Sequence, residues 1–322
     1  MDKPPKVDQR VLDWLLEENQ PCSQYFTLRD ILGYSENHPD VKSARSKIAK
    51  KGWAHDILKG QQPKGNWEQR KDLYRPKYTA TNWRALVLSD LGLNSSNKQV
   101  AKAASLFFSD WLGESKENVF NDEVCVVGNT ARMLTKFGYG KDPRVKRLYK
   151  RLLDIQKEDG GWHCFKSNKG TLDCWEALAA FEAIPKQSRS RKINRSIERG
   201  AEFYLERHLC KEGKTTYLPW LRFHYPNHYY YDILIGLDLL TKFGYSKDQR
   251  LKESLAILAK KKSSNGTWIV EKTHPDLGPR ANYSPANFPP NRNIIPFEIE
   301  EERKPSKWIT IKALSILKRL EN

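Results

Sequence analysis

The sequence predicts an all-α protein: a closed ring of about six helix pairs formed by the whole chain, residues 1–322. Three observations lead there. Apolar residues recur at three- and four-residue spacings in segment after segment, while strand-like alternation is nearly absent. A glycine–tryptophan turn returns between a helix ending in Gln or Lys and a second, apolar helix, as in "KGQQPKGNW", "DIQKEDGGW" and "AKKKSSNGTW". The second helices, "CWEALAAFEAI" and "DILIGLDLL" above all, are apolar on nearly every face, which fits helices enclosed by the first ones.

Along the chain the pairs run as follows. "LDWLLEENQPCSQYFTLRDILGY" is an opening copy, and the turn Gln61–Gly65–Trp67 leads into "TNWRALVLSDLGL". "FFSDWLGESKENVFNDEVCVVGNTARMLTKFGY" is a less regular third copy. "DIQKEDGGW" then precedes "CWEALAAFEAI", and "EFYLERHLCKEGKTTYLPW" precedes "HYYYDILIGLDLLTKFGY". The last turn, Lys261–Gly266–Trp268, leads to "KWITIKALSILKRL". Glycine after the last apolar turn ("LGL", "FGY") reads as a helix C-cap followed by an apolar contact. Residues 274–305 are rich in Pro and Asn and read as a long loop over one end of the ring.

Composition narrows the function classes. Hydrophobic residues make up 39% of 322, enough for a sizeable core. Lys plus Arg exceed Asp plus Glu by 56 to 39, a net charge of +17. That excess suits nucleic acid, an anionic membrane surface or a phosphorylated small molecule, or else it is a solvated surface. No apolar run reaches the ~18 residues of a membrane span and the N-terminus lacks a signal-peptide core, so a cytoplasmic protein is expected. Five cysteines are an odd number and argue against a disulfide framework. No P-loop, G-x-G-x-x-G, H-E-x-x-H or G-x-S-x-G occurs, which disfavours nucleotide, flavin and serine-hydrolase chemistry.

The Gln156, Asp159, Gly160, Gly161, Trp162 element resembles the Q-x-x-D-G-G-W repeat of the terpenoid-cyclase and protein-prenyltransferase β-subunit superfamily. Repeats of this kind cover nearly the whole chain. "PKYTATNW", "GNTARML", "GGWHC", "FHYP" and "KPSKWITIKAL" are similar to uncharacterised squalene-cyclase-like prokaryotic proteins. The resemblance implies an α/α toroid with an aromatic-lined central cavity that binds or transforms an apolar, isoprenoid-like and possibly phosphorylated ligand. It leaves open whether the chain is an enzyme and what reaction it runs. The D-x-D-D acid motif of alkene-protonating cyclases is missing. Asp173 and Cys174 are adjacent, where prenyltransferases place Asp-x-Cys as zinc ligands.

Candidate residues gather where inner helices begin. Cys125, Cys164 and Cys174 belong to consecutive repeats and, with His163 or His224, match the Cys₃His set of a tetrahedral zinc site; buried structural cysteines are the alternative. Asp173, His228 and Asp232 are the acid–base candidates, although Asp173 (with Glu176 three residues on) and Asp232 also suit helix capping. Trp83, Trp175, His224, Tyr229 and Tyr230 are candidates for a ligand-binding wall. The competing reading is a nucleic-acid-binding protein, with action on a base as one form of it. It would use "SRSRKINRSIER" together with Tyr74, Tyr78 and Trp83 beside Arg75 and Lys77 at the ring mouth.

Overall fold

The computed structural model describes residues 7–113, 123–273 and 299–321; most of the expected loop 274–305, residues 274–298, lies outside the described residues. Thirteen α-helices and one two-residue hairpin make up the regular structure among the described residues, so the class is all-α. The helices are α1 (Gln9–Leu15), α2 (Pro21–Phe26), α3 (Pro39–Lys47), α4 (Trp53–Lys59), α5 (Thr81–Asp90), α6 (Lys98–Leu106) and α7 (Val124–Leu134). They continue as α8 (Pro143–Asp154), α9 (Glu176–Ala183), α10 (Arg191–Glu206), α11 (Ile233–Lys242), α12 (Lys252–Lys260) and α13 (Lys307–Glu321). Single π-turns extend α2, α6 and α7.

Burial sorts them into two layers. In α5, α7, α9 and α11 nearly every residue is buried, including Asn82, Asn129, Glu176 and Asp238. By contrast α8 buries only Val145, Leu148, Tyr149 and Leu152, one stripe at helical spacing, and turns its basic residues outward. The inner helices pack in sequence, α5 on α7, α7 on α9, α9 on α11 and α11 on α13. The last helix also packs on α2 and its π-turn, where the Phe26 and Trp308 ring centroids are 5.4 Å apart and Lys307 Nζ lies 2.7 Å from Glu17 Oε2.

The three glycine–tryptophan turns share one hydrogen-bond scheme. Each indole N–H donates 2.8 Å to a carbonyl ten residues earlier: Trp67 to Ile57, Trp162 to Leu152 and Trp268 to Leu258. The preceding glycines Gly65, Gly160 and Gly266 have φ of 92°, 87° and 87°, a conformation that a side chain disfavours. Gln61 and Gln156 each donate to the carbonyl of that glycine and to a neighbouring outer helix, at Gln99 and Ser196. In the third turn this register falls on Lys262, not the expected Lys261. Lys262 Nζ lies 5.6 Å from the centroid of the Trp268 ring, while Lys261 turns away to pair with Glu271.

Close approach between α7 and α9 depends on Gly128. A Cβ there would sit 2.7 Å from the carbonyl carbon and oxygen of Glu176. This contact fixes the start of α9 against the start of α7, where the cysteines lie.

Candidate functional site

The candidate site is built from four segments: the loop before α5, the start of α7, the hairpin closed by the Trp162–Thr171 bridge with its exit to α9, and the loop before α11. Asp159 clamps the hairpin by accepting N–H bonds from Gly161 and Gly170, so Cys164 is carried on a fixed turn.

Cys164 is the centre of a thiol cluster. Its sulfur accepts from the Cys125 backbone N–H at 3.4 Å and from the Cys174 thiol at 3.6 Å, and the Cys125 thiol hydrogen-bonds to it as well. The thiols of Cys125 and Cys174, outweighing partial burial and aided by the backbone N–H groups of Cys125 and Val124, hold the Cys164 thiol well below the usual thiol range. The amides belong to the first turn of α7, where N–H groups lack intrahelical partners and favour an anion. Donation to Cys164, then burial, raises both partner thiols. In this arrangement Cys164 is the acceptor and the two other thiols are its donors.

Glu176 lies behind it, fully buried, and neither carboxylate oxygen has a hydrogen-bond partner on another residue among the described residues. Burial first, and the Cys164 thiolate second, push its carboxyl well above the usual range. The expected capping role fails on geometry: α9 has no side-chain cap, and Asp173 instead accepts the Trp220 indole N–H at 2.7 Å from an exposed position.

On the other side of the thiols stands an aromatic wall. The Tyr78 and Tyr229 hydroxyls are 2.7 Å apart, each 3.3 Å from that of Tyr230, and Lys77 Nζ donates to Tyr229 at 3.2 Å. Trp83 packs among Tyr74, Tyr78 and His228 at centroid distances of 4.7, 5.2 and 5.1 Å, and its indole donates to the Tyr74 carbonyl. The wall is tied to the inner helices by Asn129 Nδ2 donating to the His228 carbonyl and by the Trp175 indole donating to the Tyr229 carbonyl. Burial, then the neighbouring Cys125, raises the Tyr74 phenol.

The structure thus brings Cys125, Cys164 and Cys174 together, and packs Trp83, Tyr229 and Tyr230 into one aromatic cluster whose Tyr74 lies near Cys125. Neither expected histidine joins. His163 Nδ1 accepts the Phe165 N–H in its own turn, beside an exposed Phe165 ring. His224 stacks on Tyr230, with Nδ1 3.4 Å from Asp232 Oδ2. Among the described residues no group of three or more His, Cys, Asp or Glu side chains is arranged to hold a metal ion. Asp232 is buried and committed: Oδ1 caps α11 through Ile235 N–H, and Oδ2 accepts from His224 N–H and Asn227.

Inside the helix array the lining is ionic where an aromatic one was expected. Trp175, His224 and Trp308 share a cavity of about 70 Å³ with Asp90, Arg132, Lys136, Glu182, Asp238, Lys242 and Lys312. Pockets for drug-sized ligands span roughly 300–1,000 Å³, so this cavity by itself is smaller than those. The basic stretch Arg189–Arg195 follows the C-terminal end of α9, about 12 Å of helix from the thiols at its start. It does not share their rim. Among the described residues no helix is long and apolar enough to cross a membrane.

No protein-family model matches the sequence, and no curated protein does. Among solved structures the chain is similar to the apo type II terpene cyclase MstE from Scytonema, at 15% identity and a TM-score of 0.44, over 99% of this chain and 89% of that one. At so distant a likeness, function rests on the side chains of this chain alone.

Proposed function

We infer that this chain is a thiol-dependent enzyme on a closed α/α toroid of the terpenoid-cyclase and prenyltransferase kind, with Cys164 as its nucleophile. Closure is supported by the packing of α13 on α2 and by the Lys307–Glu17 pair. The reactive assignment is carried by one observation: the Cys164 sulfur receives two thiols and the first amides of α7. A thiolate, not a thiol, attacks an electrophilic carbon. The Cys174 thiol donates to the Cys164 sulfur, and the buried Glu176 carboxyl, raised above its usual range, lies in the same region. The rim suits a small electrophile with an apolar portion laid on the aromatic wall.

Zinc is the second reading, and a single distance favours it. Two thiolates on a tetrahedral zinc with Zn–S of about 2.3 Å stand about 3.8 Å apart, close to the 3.6 Å between Cys164 and Cys174. One experiment separates the two readings. Protein purified without chelator is analysed for metal and then treated with iodoacetamide at pH 6, with each cysteine read by peptide mass. Selective alkylation of Cys164 in metal-free protein supports the nucleophile. One equivalent of zinc that protects all three cysteines replaces it with a metal centre, and uniform slow labelling sinks both.

A further inference from the structure

Cys164 and Cys174 stand with their sulfurs 3.6 Å apart, ten positions from each other in the chain. A disulfide holds its sulfurs about 2.05 Å apart, so a bond between them asks for an approach of about 1.5 Å from the present 3.6 Å.

The two residues differ in what holds them. Cys174 leads into α9, whose start is fixed by the close contact of Glu176 with Gly128 and by the Trp175 indole bond to the Tyr229 carbonyl. Cys164 stands on the bend that the Trp162–Thr171 bridge closes, in a stretch that is neither helix nor strand. The bend alone can supply so short a movement, with α7 and α9 left in place. Exposure assigns the order of events. Cys164 is half-buried and Cys174 only 3% exposed, so a reagent from solvent meets Cys164 first. An accessible sulfur that accepts hydrogen bonds, with a second thiol poised behind it, is the arrangement of an oxidisable cysteine and its resolving partner.

We propose that Cys164 and Cys174 form a hydroperoxide-oxidisable pair, closing to a disulfide that removes the nucleophile until a dithiol reductant restores it. The proposal rests on the reading of Cys164 as the reactive sulfur. Cys164 Sγ attacks one oxygen of the hydroperoxide, the O–O bond breaks, and the leaving hydroxide or alkoxide takes a proton from solvent. The sulfur is then a sulfenic acid. Cys174 Sγ attacks that sulfur, the S–O bond breaks, and the oxygen departs as water with the Cys174 proton. Two thiols lose two electrons in all, and one hydroperoxide gains them.

The test uses the full chain, reduced, stripped of metal by a chelator and freed of both reagents. It is treated with one equivalent of hydrogen peroxide, its remaining thiols are blocked with iodoacetamide in urea, and the cysteine peptides are read by mass. We expect two of the five thiols to be lost, a linked Cys164–Cys174 peptide, and full recovery with dithiothreitol. In Cys174→Ser the link should vanish and dimedone should capture Cys164 as the sulfenic acid. The peptide map of the unmodified chain decides the matter even if that variant does not fold. A link from Cys164 to Cys125, or a Cys164 sulfenic acid that persists without any link, overturns the pair and leaves Cys164 as nucleophile. Alkylation of Cys164 at pH 6 with no reaction toward peroxide does the same. A Cys164 inert to both reagents overturns the nucleophile and the pair together.

Discussion

Replacing Gly128 by alanine sets two effects of opposite sign against each other. Helix propensity favours alanine by about 1 kcal/mol, and nothing in the backbone opposes it, since Gly128 lies inside α7 without a positive φ. The new methyl, however, would stand 2.7 Å from the Glu176 carbonyl carbon, where carbon contacts settle near 3.5–4.0 Å. The neighbour is backbone and cannot rotate away, so α7 and α9 must separate by roughly 1 Å. Overpacking of this kind costs about 1–3 kcal/mol, and a backbone clash belongs at the upper end, leaving a net loss of about 2 kcal/mol. With an unfolding entropy of about 2.1 cal/mol/K per residue, 322 residues give about 0.7 kcal/mol/K, so Tm should fall by about 3 °C. Scanning calorimetry reads the shift directly. The same separation draws Cys125 and the first amides of α7 from Cys164, so alkylation of Cys164 at pH 6 should slow as well. A variant that melts at or above the parent would refute the helix contact as described.

Other contacts give further expected outcomes. Gln156→Ala removes donors to the Gly160 and Ser196 carbonyls and an acceptor for Ser196 Oγ; urea unfolding should show a loss of about 1–3 kcal/mol, more than a surface glutamine would give. Burial raises Glu300 to about 7, against hydrogen bonds from Ser306, Lys307 and Trp308. Its folded-state pKa therefore exceeds the unfolded value, so the stability is present at pH 4.5 and below and is lost as pH rises through 7. Glu300→Gln should abolish this fall of about 3 kcal/mol between urea midpoints at pH 5 and pH 8. Cys125→Ala deletes one thiol donor to Cys164, and the alkylation profile of Cys164 should move to higher pH with Tm little changed.

The class of the fold was legible because the apolar spacing and the Gly–Trp turns are local. The indole bond to a carbonyl ten residues back recurs wherever the turn does. The convergence of the three cysteines was legible for a related reason: each sits at the start of an inner helix or in the hairpin feeding one. Glu176 was misread as half of a capping pair. The available signal was its isolation as a carboxylate among the small apolar residues of "CWEALAAF". Facing it is a glycine, which admits the backbone and leaves no donor for the acid. The ionic cavity was hidden because Asp90, Lys136, Glu182 and Lys242 each stand at the end of an apolar segment. There a charge reads as a solvated terminus, and only the packing of α5, α7, α9, α11 and α13 turns those ends toward one another. The arginine-rich stretch that opens α10 drew attention by density alone, which says nothing about the surface it faces.

The most direct test of the account is the pH dependence of Cys164 alkylation in the unmodified chain, followed by peptide mass from pH 4.5 to 9. A sulfur already ionised by two thiols and the start of α7 should react at a rate nearly level from pH 5 to 8, while Cys125 and Cys174 stay unlabelled over that range. A rate that climbs about tenfold per pH unit toward an ordinary thiol value near 8.5 would contradict the thiolate and, with it, the proposed site.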